Sequence, residues 1–375
     1  MKNVIYADNA ATTKLDNDAF EAMKPYLLNN YGNASQPYSF SRSVKKAIKE
    51  ARETIARCIS AEPEEIFFTS GGTESNNWVI KDNIFSNINH KTIITSEFEH
   101  HTIIRACESI ENIGYPVVYL PITKSGIVDI EMYKKIITNN TYLTSIMFAN
   151  NEIGTIQPIK ELCKIAHENG SLFHTDAVQA VGHIDIDVKN LDIDMLSASA
   201  HKFNGPKGIG FLYIKKGTSI HSLMSGGMQE FGYRAGTENV ASIVGMAVAL
   251  KKNVDLLENS ILHINRCVDA FFDEFNKYNI DYVINGKGDK IPGNINLSFK
   301  NKTGEGIMHL MDLKGVLIST GSACDSVNTR VSHVIKAINV PDEYQEGTIR
   351  ISLNKDNTEE EARAIAKKLK DAISL

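Results

Sequence analysis

The chain has 375 residues, 42% of them hydrophobic and 23% charged, with a formal net charge of -5. That is length enough for two domains around a large buried core, and the apolar content excludes a disordered protein. Charges of both signs are interspersed and no apolar run approaches a spanning helix, which excludes a basic nucleic-acid surface and a membrane protein and leads us to expect a cytoplasmic one.

The first recognisable stretch is D-N-A-A-T-T, Asp8 to Thr13. It is too irregular for a strand and too short for a helix, and reads as a loop beside a site. Helical periodicity follows over residues 16–28, a turn-rich segment over 31–37, and an amphipathic helix over 41–59. From there strands and helices alternate. Strands are predicted over 65–69, 91–96, 117–120, 143–149, 171–175, 193–198 and 209–215, with helices over 73–85, 99–112 and 159–168. Alternation of this length indicates βαβ units and a mostly parallel sheet.

A long helical pattern then crosses from residue 240 to residue 278. Beyond it, strands over 281–284, 294–298, 316–319 and 348–353 alternate with helices. The last helix opens on a capping box, Thr358 with Glu361. We expect an α/β protein: a large domain over 14–257 with a mostly parallel central sheet, and a smaller α/β domain built from 1–13 and 258–375.

Chemistry gathers first in S-A-S-A-H-K-F-N-G-P-K-G-I-G, residues 197–210, which puts Lys202 in a turn between two strands. The ordinary state of a lysine is solvated. Against that stands Asp176, which closes the strand in L-F-H-T-D-A-V-Q. In an open parallel sheet the carboxyl ends of strands share one crevice, so the two side chains can meet over a ligand. An Asp paired with a pyridinium nitrogen and a Lys in a Schiff-base linkage form the pyridoxal phosphate arrangement. S-G-G-T-E-S, Ser70 to Ser75, joins a strand end to a helix start and supplies backbone N–H groups for a phosphate.

His100 follows another strand end in E-F-E-H-H, where it either stacks on a ring and moves protons or is an exposed residue at a helix start. No H-E-x-x-H spacing supports a metal. The five cysteines, Cys58, Cys107, Cys163, Cys267 and Cys324, are scattered without a C-x-x-C pair, so neither a disulfide framework nor a zinc site is expected. Four fall on helical patterns beside apolar neighbours and read as buried packing residues. Cys324 differs. It lies in S-T-G-S-A-C-D-S-V-N, a small and polar run where a thiol is accessible to nucleophilic chemistry. Arg350, in T-I-R-I-S-L, needs a partner inside its strand, and a substrate carboxylate would be a bidentate one.

Taken together these residues resemble the cysteine desulfurases of the class V aminotransferase group, which have fold type I of the pyridoxal phosphate enzymes. The resemblance runs from D-N-A-A-T-T through S-G-G-T-E-S-N-N, E-H, N-N-E-I-G at Asn150, H-T-D-A-V-Q, S-A-H-K and R-A-G-T-E-N at Arg234 to G-S-A-C and I-R-I-S-L. It implies that Lys202 carries the pyridoxal 5'-phosphate, that Asp176 pairs with its ring nitrogen, and that Gln179 bonds its phenolic oxygen. It makes His100 the ring-stacking acid–base residue. It places Gly72, Thr73, Ser199 and His201 at the phosphate, and Thr237 at the phosphate of the neighbouring subunit in a homodimer. Asn151 and Arg350 would hold the substrate amino acid.

The implied reaction converts L-cysteine to L-alanine and leaves a persulfide on Cys324 for a sulfur acceptor, an iron–sulfur scaffold or a tRNA-thiolation protein. The run from Cys324 to Arg350 is of the long kind, suited to carrying a persulfide outward. Another enzyme of the same fold, a selenocysteine lyase or another lyase or transaminase, would keep Lys202 and Asp176 without needing Cys324. Two departures from the pattern stand out. Tyr38 occupies a position where histidine is usual, beside Ala34 and Gln36, and Asp325 follows the nucleophile, where its carboxylate disfavours the thiolate.

Overall fold

The structure is a computed structural model and describes residues 4–85, 91–320 and 331–374. Cys324 and Asp325 lie outside the described residues. The chain begins with β1 (Ile5–Tyr6) and α1 (Asn17–Leu28), whose N-cap Asp16 accepts from the N–H groups of Asp18 and Ala19. α2 (Arg42–Cys58) buries Val44, Ala47, Ile48, Ala51 and Ile55, the stripe its periodicity predicts. There follow β2 (Ile66–Thr69), α3 (Gly72–Phe85), β3 (Thr92–Ser96), α4 (His101–Glu111), β4 (Val117–Leu120), α5 (Ile130–Ile136), β5 (Thr141–Ser145), α6 (Ile159–Glu168), β6 (Leu172–Asp176), α7 (Val188–Leu191), β7 (Met195–Ser199) and β8 (Gly210–Ile214). After α8 (Val240–Asp255) and α9 (Leu257–Phe275) come β9 (Tyr282–Ile284), β10 (Asn294–Phe299), α10 (Gly304–Leu313), β11 (Val316–Leu317), α11 (His333–Ala337), α12 (Asp342–Gln345), β12 (Thr348–Ser352) and α13 (Glu359–Ile373).

Seven strands form the central sheet in the order β2-β8-β7-β6-β5-β3-β4. All neighbours are parallel except at β8, which runs antiparallel to both β7 and β2. Most of these strands are buried along their length, as a sheet covered on both faces by helices requires. The sequence runs outward from β3 to β4 and then back through β5, β6 and β7. The direction of winding therefore reverses beside β3, and the crevice at the carboxyl ends of β3, β5, β6 and β7 is where a ligand is expected.

Apart from this sheet, β12, β10 and β9 form an antiparallel three-stranded sheet, and β1 pairs with β11. A bridge from Asp8 to Ser352 and another from Ser319 to Arg350 tie the two-stranded pair to β12. The apolar cluster beneath these strands uses Ile5 and Ala7 and otherwise draws only on buried residues from Cys267 onward.

Three expectations shift. The helical pattern over 240–278 is two helices, broken at Leu256, where φ -104° and ψ 7° leave the helical region. The strand expected over 143–149 is Thr141–Ser145, although the N–H groups of Ile146 and Phe148 continue to donate to the carbonyls of His174 and Asp176. The strand expected over 316–319 is only Val316–Leu317, and its partner β1 went unrecognised because two residues carry no alternation. The capping box holds: the Thr358 hydroxyl accepts from Glu361 N–H while the Glu361 carboxylate accepts from Thr358 N–H.

Candidate active site

At the carboxyl ends of the central strands a cavity of ≈ 270 Å³ collects nearly all the residues singled out above. β6 delivers Asp176, which is buried. Its Oδ2 accepts from Asn76 Nδ2 at 2.6 Å and its Oδ1 from Val178 N–H at 3.0 Å. Beneath it in the strand, His174 accommodates the Ser145 and Ser197 hydroxyls on its two ring nitrogens, and burial depresses its pKa to about 3. β7 runs into a single turn of 3₁₀ helix over Ala200–Lys202, which swings Lys202 across the strand ends. The Lys202 ammonium donates to the carbonyls of Ala10 and Ala11 at 2.6 and 2.8 Å, and Gln179 Nε2 donates to the same Ala10 carbonyl at 3.0 Å. The loop Asp8 to Thr13 is thus a wall of the site, as its composition suggested.

His100 caps α4. Its Nδ1 accepts from the N–H of Thr102 at 3.2 Å, and burial, with Lys202, His101 and His333 nearby, pulls its pKa below the ordinary value despite the Asp176 carboxylate. His100 therefore stands at the start of a helix, but half-buried and lining the cavity rather than exposed.

Arg350 closes the opposite side. Its Nη2 donates to Asp8 Oδ1 at 2.6 Å and its Nη1 to the carbonyl of Asn151 at 2.9 Å, while Nε is buried without a partner. The carboxylate that makes the strand arginine tolerable is therefore Asp8, a residue of the N-terminal loop, and any substrate carboxylate would share the guanidinium with it.

An adjoining cavity of ≈ 350 Å³ shares Gly72, Thr73, Ser199 and His201 with the first and adds Thr12 and Lys207. It sits at the N-terminus of the 14-residue α3, where unpaired N–H groups favour an anion. A side chain at position 72 would meet Val178 Cγ2 at 2.5 Å, so glycine is what lets the backbone come close. His201 bonds Thr12 Oγ1 at 3.1 Å, and burial with Lys202 and Lys207 lowers its pKa to about 4, so it is neutral at physiological pH.

Thr237 lines neither cavity and is exposed. Its loop is nonetheless fixed at the rim, because Arg234 grips Glu74 in the first turn of α3 with two bonds of 2.7 and 3.0 Å. The remaining four cysteines lie on helices, three of them buried. Burial pushes the thiols of Cys58, Cys107, Cys163 and Cys267 up, which makes them inert.

Asn76 and Thr102 were missed from the sequence. Asn76 stands one turn beyond Thr73, so its helical spacing carried the signal. Another cavity, ≈ 690 Å³ and lined by Tyr142, Lys215, Thr218 and His221 among others, opens at the amino ends of the parallel strands, away from these residues. Among the described residues no cluster suited to a metal is found, and no helix is long and apolar enough to cross a membrane.

A doubly wound sheet that brings an Asp and a Lys together at its strand ends, beside a helix N-terminus, has the crevice in which α/β proteins place a ligand. The model of the family "Aminotransferase class-V" matches residues 5–365, and the chain belongs to that family. Among curated relatives it is 49% identical over 363 residues to the cysteine desulfurase IscS of Dictyoglomus turgidum, covering 96% of this chain and 92% of that one. It is 40% identical over 363 residues to the cysteine desulfurase NifS of Azotobacter vinelandii, covering 95% and 89%. Among solved structures, a NifS-like protein superposes with a TM-score of 0.92 at 35% identity over 99% of both chains. A second, described as SspA in complex with cysteine, gives 0.83 at 35% identity over 93% and 98%.

Proposed function

We propose that the protein is a pyridoxal 5'-phosphate-dependent cysteine desulfurase that converts L-cysteine to L-alanine and leaves the sulfur as a persulfide on Cys324. The observation that carries this reading is the meeting of Asp176, Lys202, Gln179 and His100 around one cavity that continues into an anion cradle.

The residues present fit the cofactor. Gly72 keeps the floor clear of a Cβ, the Thr73 and Ser199 hydroxyls and neutral His201 offer hydrogen bonds to a phosphate, and Asp176 is a buried carboxylate at the strand end. Pyridoxal phosphate, when bound, supplies an electron sink that makes the substrate Cα–H acidic. Asp176, fixed by Asn76 and Val178, would hold the ring nitrogen protonated. Lys202 would hold the cofactor and would take up the substrate Cα proton on Nζ, with the carbonyls of Ala10 and Ala11 to receive its charge. Arg350 and Asn151 orient the substrate carboxylate. The Cys324 thiolate attacks the substrate sulfur: the substrate Cβ–S bond breaks, an S–S bond forms, and the remaining three-carbon unit is protonated to alanine. The same proposal includes a homodimer in which Thr237 serves the partner's site, a sulfur-acceptor protein, and a cytoplasmic location consistent with unpaired cysteines.

Replacing Cys324 by Ala tests the assignment against a lyase of the same fold. Alanine release from L-cysteine falls by about 10² or more if Cys324 is the nucleophile. Release at the full rate from L-cysteine sinks it, as does a wild type that acts on L-selenocysteine alone.

A further inference from the structure

The cavity contains a chain of hydrogen bonds of which the roles above use only the first link, Asn76 to Asp176. Asn76 is 1% exposed and donates from the same Nδ2 to Asp176 Oδ2 at 2.6 Å and to Thr102 Oγ1 at 2.8 Å. A carboxylate only accepts, so Asp176 dictates which end of the Asn76 amide faces it, and the amide oxygen is left buried without a partner. The Thr102 hydroxyl, having accepted from Asn76, has its single proton to give. The acceptor at hand is His100 Nδ1, 3.0 Å away. That nitrogen also accepts the backbone N–H of Thr102 at 3.2 Å, and a backbone N–H cannot reverse its role.

Resting on the cofactor site proposed above, we propose that Asn76 and Thr102 are positioning residues: they carry hydrogen bonding from the Asp176 carboxylate to Nδ1 of His100 and fix His100 as the neutral tautomer with its proton on Nε2. His100 then offers an N–H to bound substrate and abstracts no proton there. Protonating the ring would set a new Nδ1–H against the Thr102 N–H. Of the charged and titratable groups facing His100, Asp176 favours the imidazolium while Lys202, His101 and His333 oppose it. The ring contact of His101 with His333, 4.9 Å between centroids, completes that side. His333 is held by its Nε2 bond to the carbonyl of Glu99 at 2.9 Å.

The test uses the holoenzyme labelled with ¹⁵N-histidine, with the His100 signals assigned by their loss in His100→Gln. Long-range ¹H–¹⁵N correlations report the tautomer directly. At neutral pH the wild type is expected to carry the His100 proton on Nε2. Thr102→Val keeps the side-chain shape and removes the hydroxyl, so the His100 pKa rises by about half to one pH unit, the worth of one hydrogen bond. The acid limb of the kcat profile moves up with it, and Thr102→Ser restores both. A wild-type His100 protonated on Nδ1 or on both nitrogens at neutral pH overturns the proposal, as does a Thr102→Val titration superimposable on the wild type. Failure of the wild type to release alanine from L-cysteine would instead count against the desulfurase reading, with the histidine signals still deciding the network.

Discussion

Glu99 is fully buried beside His100, with one carboxyl oxygen accepting from the Ser96 hydroxyl at 2.6 Å and from Met147 N–H at 2.9 Å, and the other without a partner. Burial, with the Asp176 charge adding to it, pushes its pKa from 4.5 up to about 8. Below the unfolded value, folded and unfolded chains both carry the proton and the full contribution to stability is present. As pH rises from about 4.5 to about 8 the unfolded chain releases the proton first, so stability falls across that window. Glu99→Gln keeps the acceptor oxygen and cannot ionise. The wild type is expected to lose on the order of 1–3 kcal/mol between pH 5 and pH 8, and the variant little of it. Urea unfolding of both proteins at the two pH values checks this, and parallel losses would contradict it. At this scale the sequence was informative about residue type and silent about partners. A strand arginine announces that it needs a carboxylate, but Asp8, 342 positions away, is chosen by the fold.

At the scale of elements, the anion cradle depends on how closely β8 passes behind it. A Cβ on Gly210 would lie 2.3 Å from the carbonyl oxygen of Ala198 and 2.7 Å from Gly71 Cα, both backbone atoms that cannot turn aside. Gly210→Ala is therefore expected to cost about 1–3 kcal/mol and to displace the turn that opens α3. Denaturant midpoints and retention of pyridoxal phosphate on dialysis should both fall, and a variant that keeps both would show that the turn is not set by this contact. The alternation that betrayed the sheet is local: buried strands read as short apolar runs and α2 as a 3.6-residue stripe. What stayed hidden was non-local. Nothing in residues 240–278 marks Leu256 as the break, because the neighbouring residues keep a helical pattern, and β1 exists only because β11 and the Cys267–Ile373 cluster hold it. The site was legible for the same reason as the sheet, since Asp176, Lys202 and His100 each stand at a strand end, whereas Thr102 acts through bonds that no spacing announces.

For the whole molecule, we propose that the homodimer forms on an exposed apolar stretch. Leu28 and Tyr31 are both 72% exposed, and the Tyr31 ring packs edge-on against exposed Phe40 at 5.2 Å. The segment that carries exposed Met228 and Phe231 reaches the same side, Gln229 bonding Ser35 at 3.4 Å. A patch of this kind on an isolated chain calls for a partner. Light scattering on the purified protein should give twice the chain mass. Leu28→Asp with Tyr31→Asp should give monomers that lose desulfuration, since Thr237 would no longer reach a second site. A monomeric and fully active wild type would contradict the shared-site arrangement.

The central claim is that Lys202 holds pyridoxal phosphate in the crevice beside Asp176. Borohydride reduction of the yellow holoprotein, followed by peptide mass spectrometry, tests it most directly. One reduced pyridoxyl adduct per chain is expected, on Lys202, and none in Lys202→Ala. An adduct on another lysine, or a wild-type protein that takes up no cofactor and yields no adduct, would contradict it.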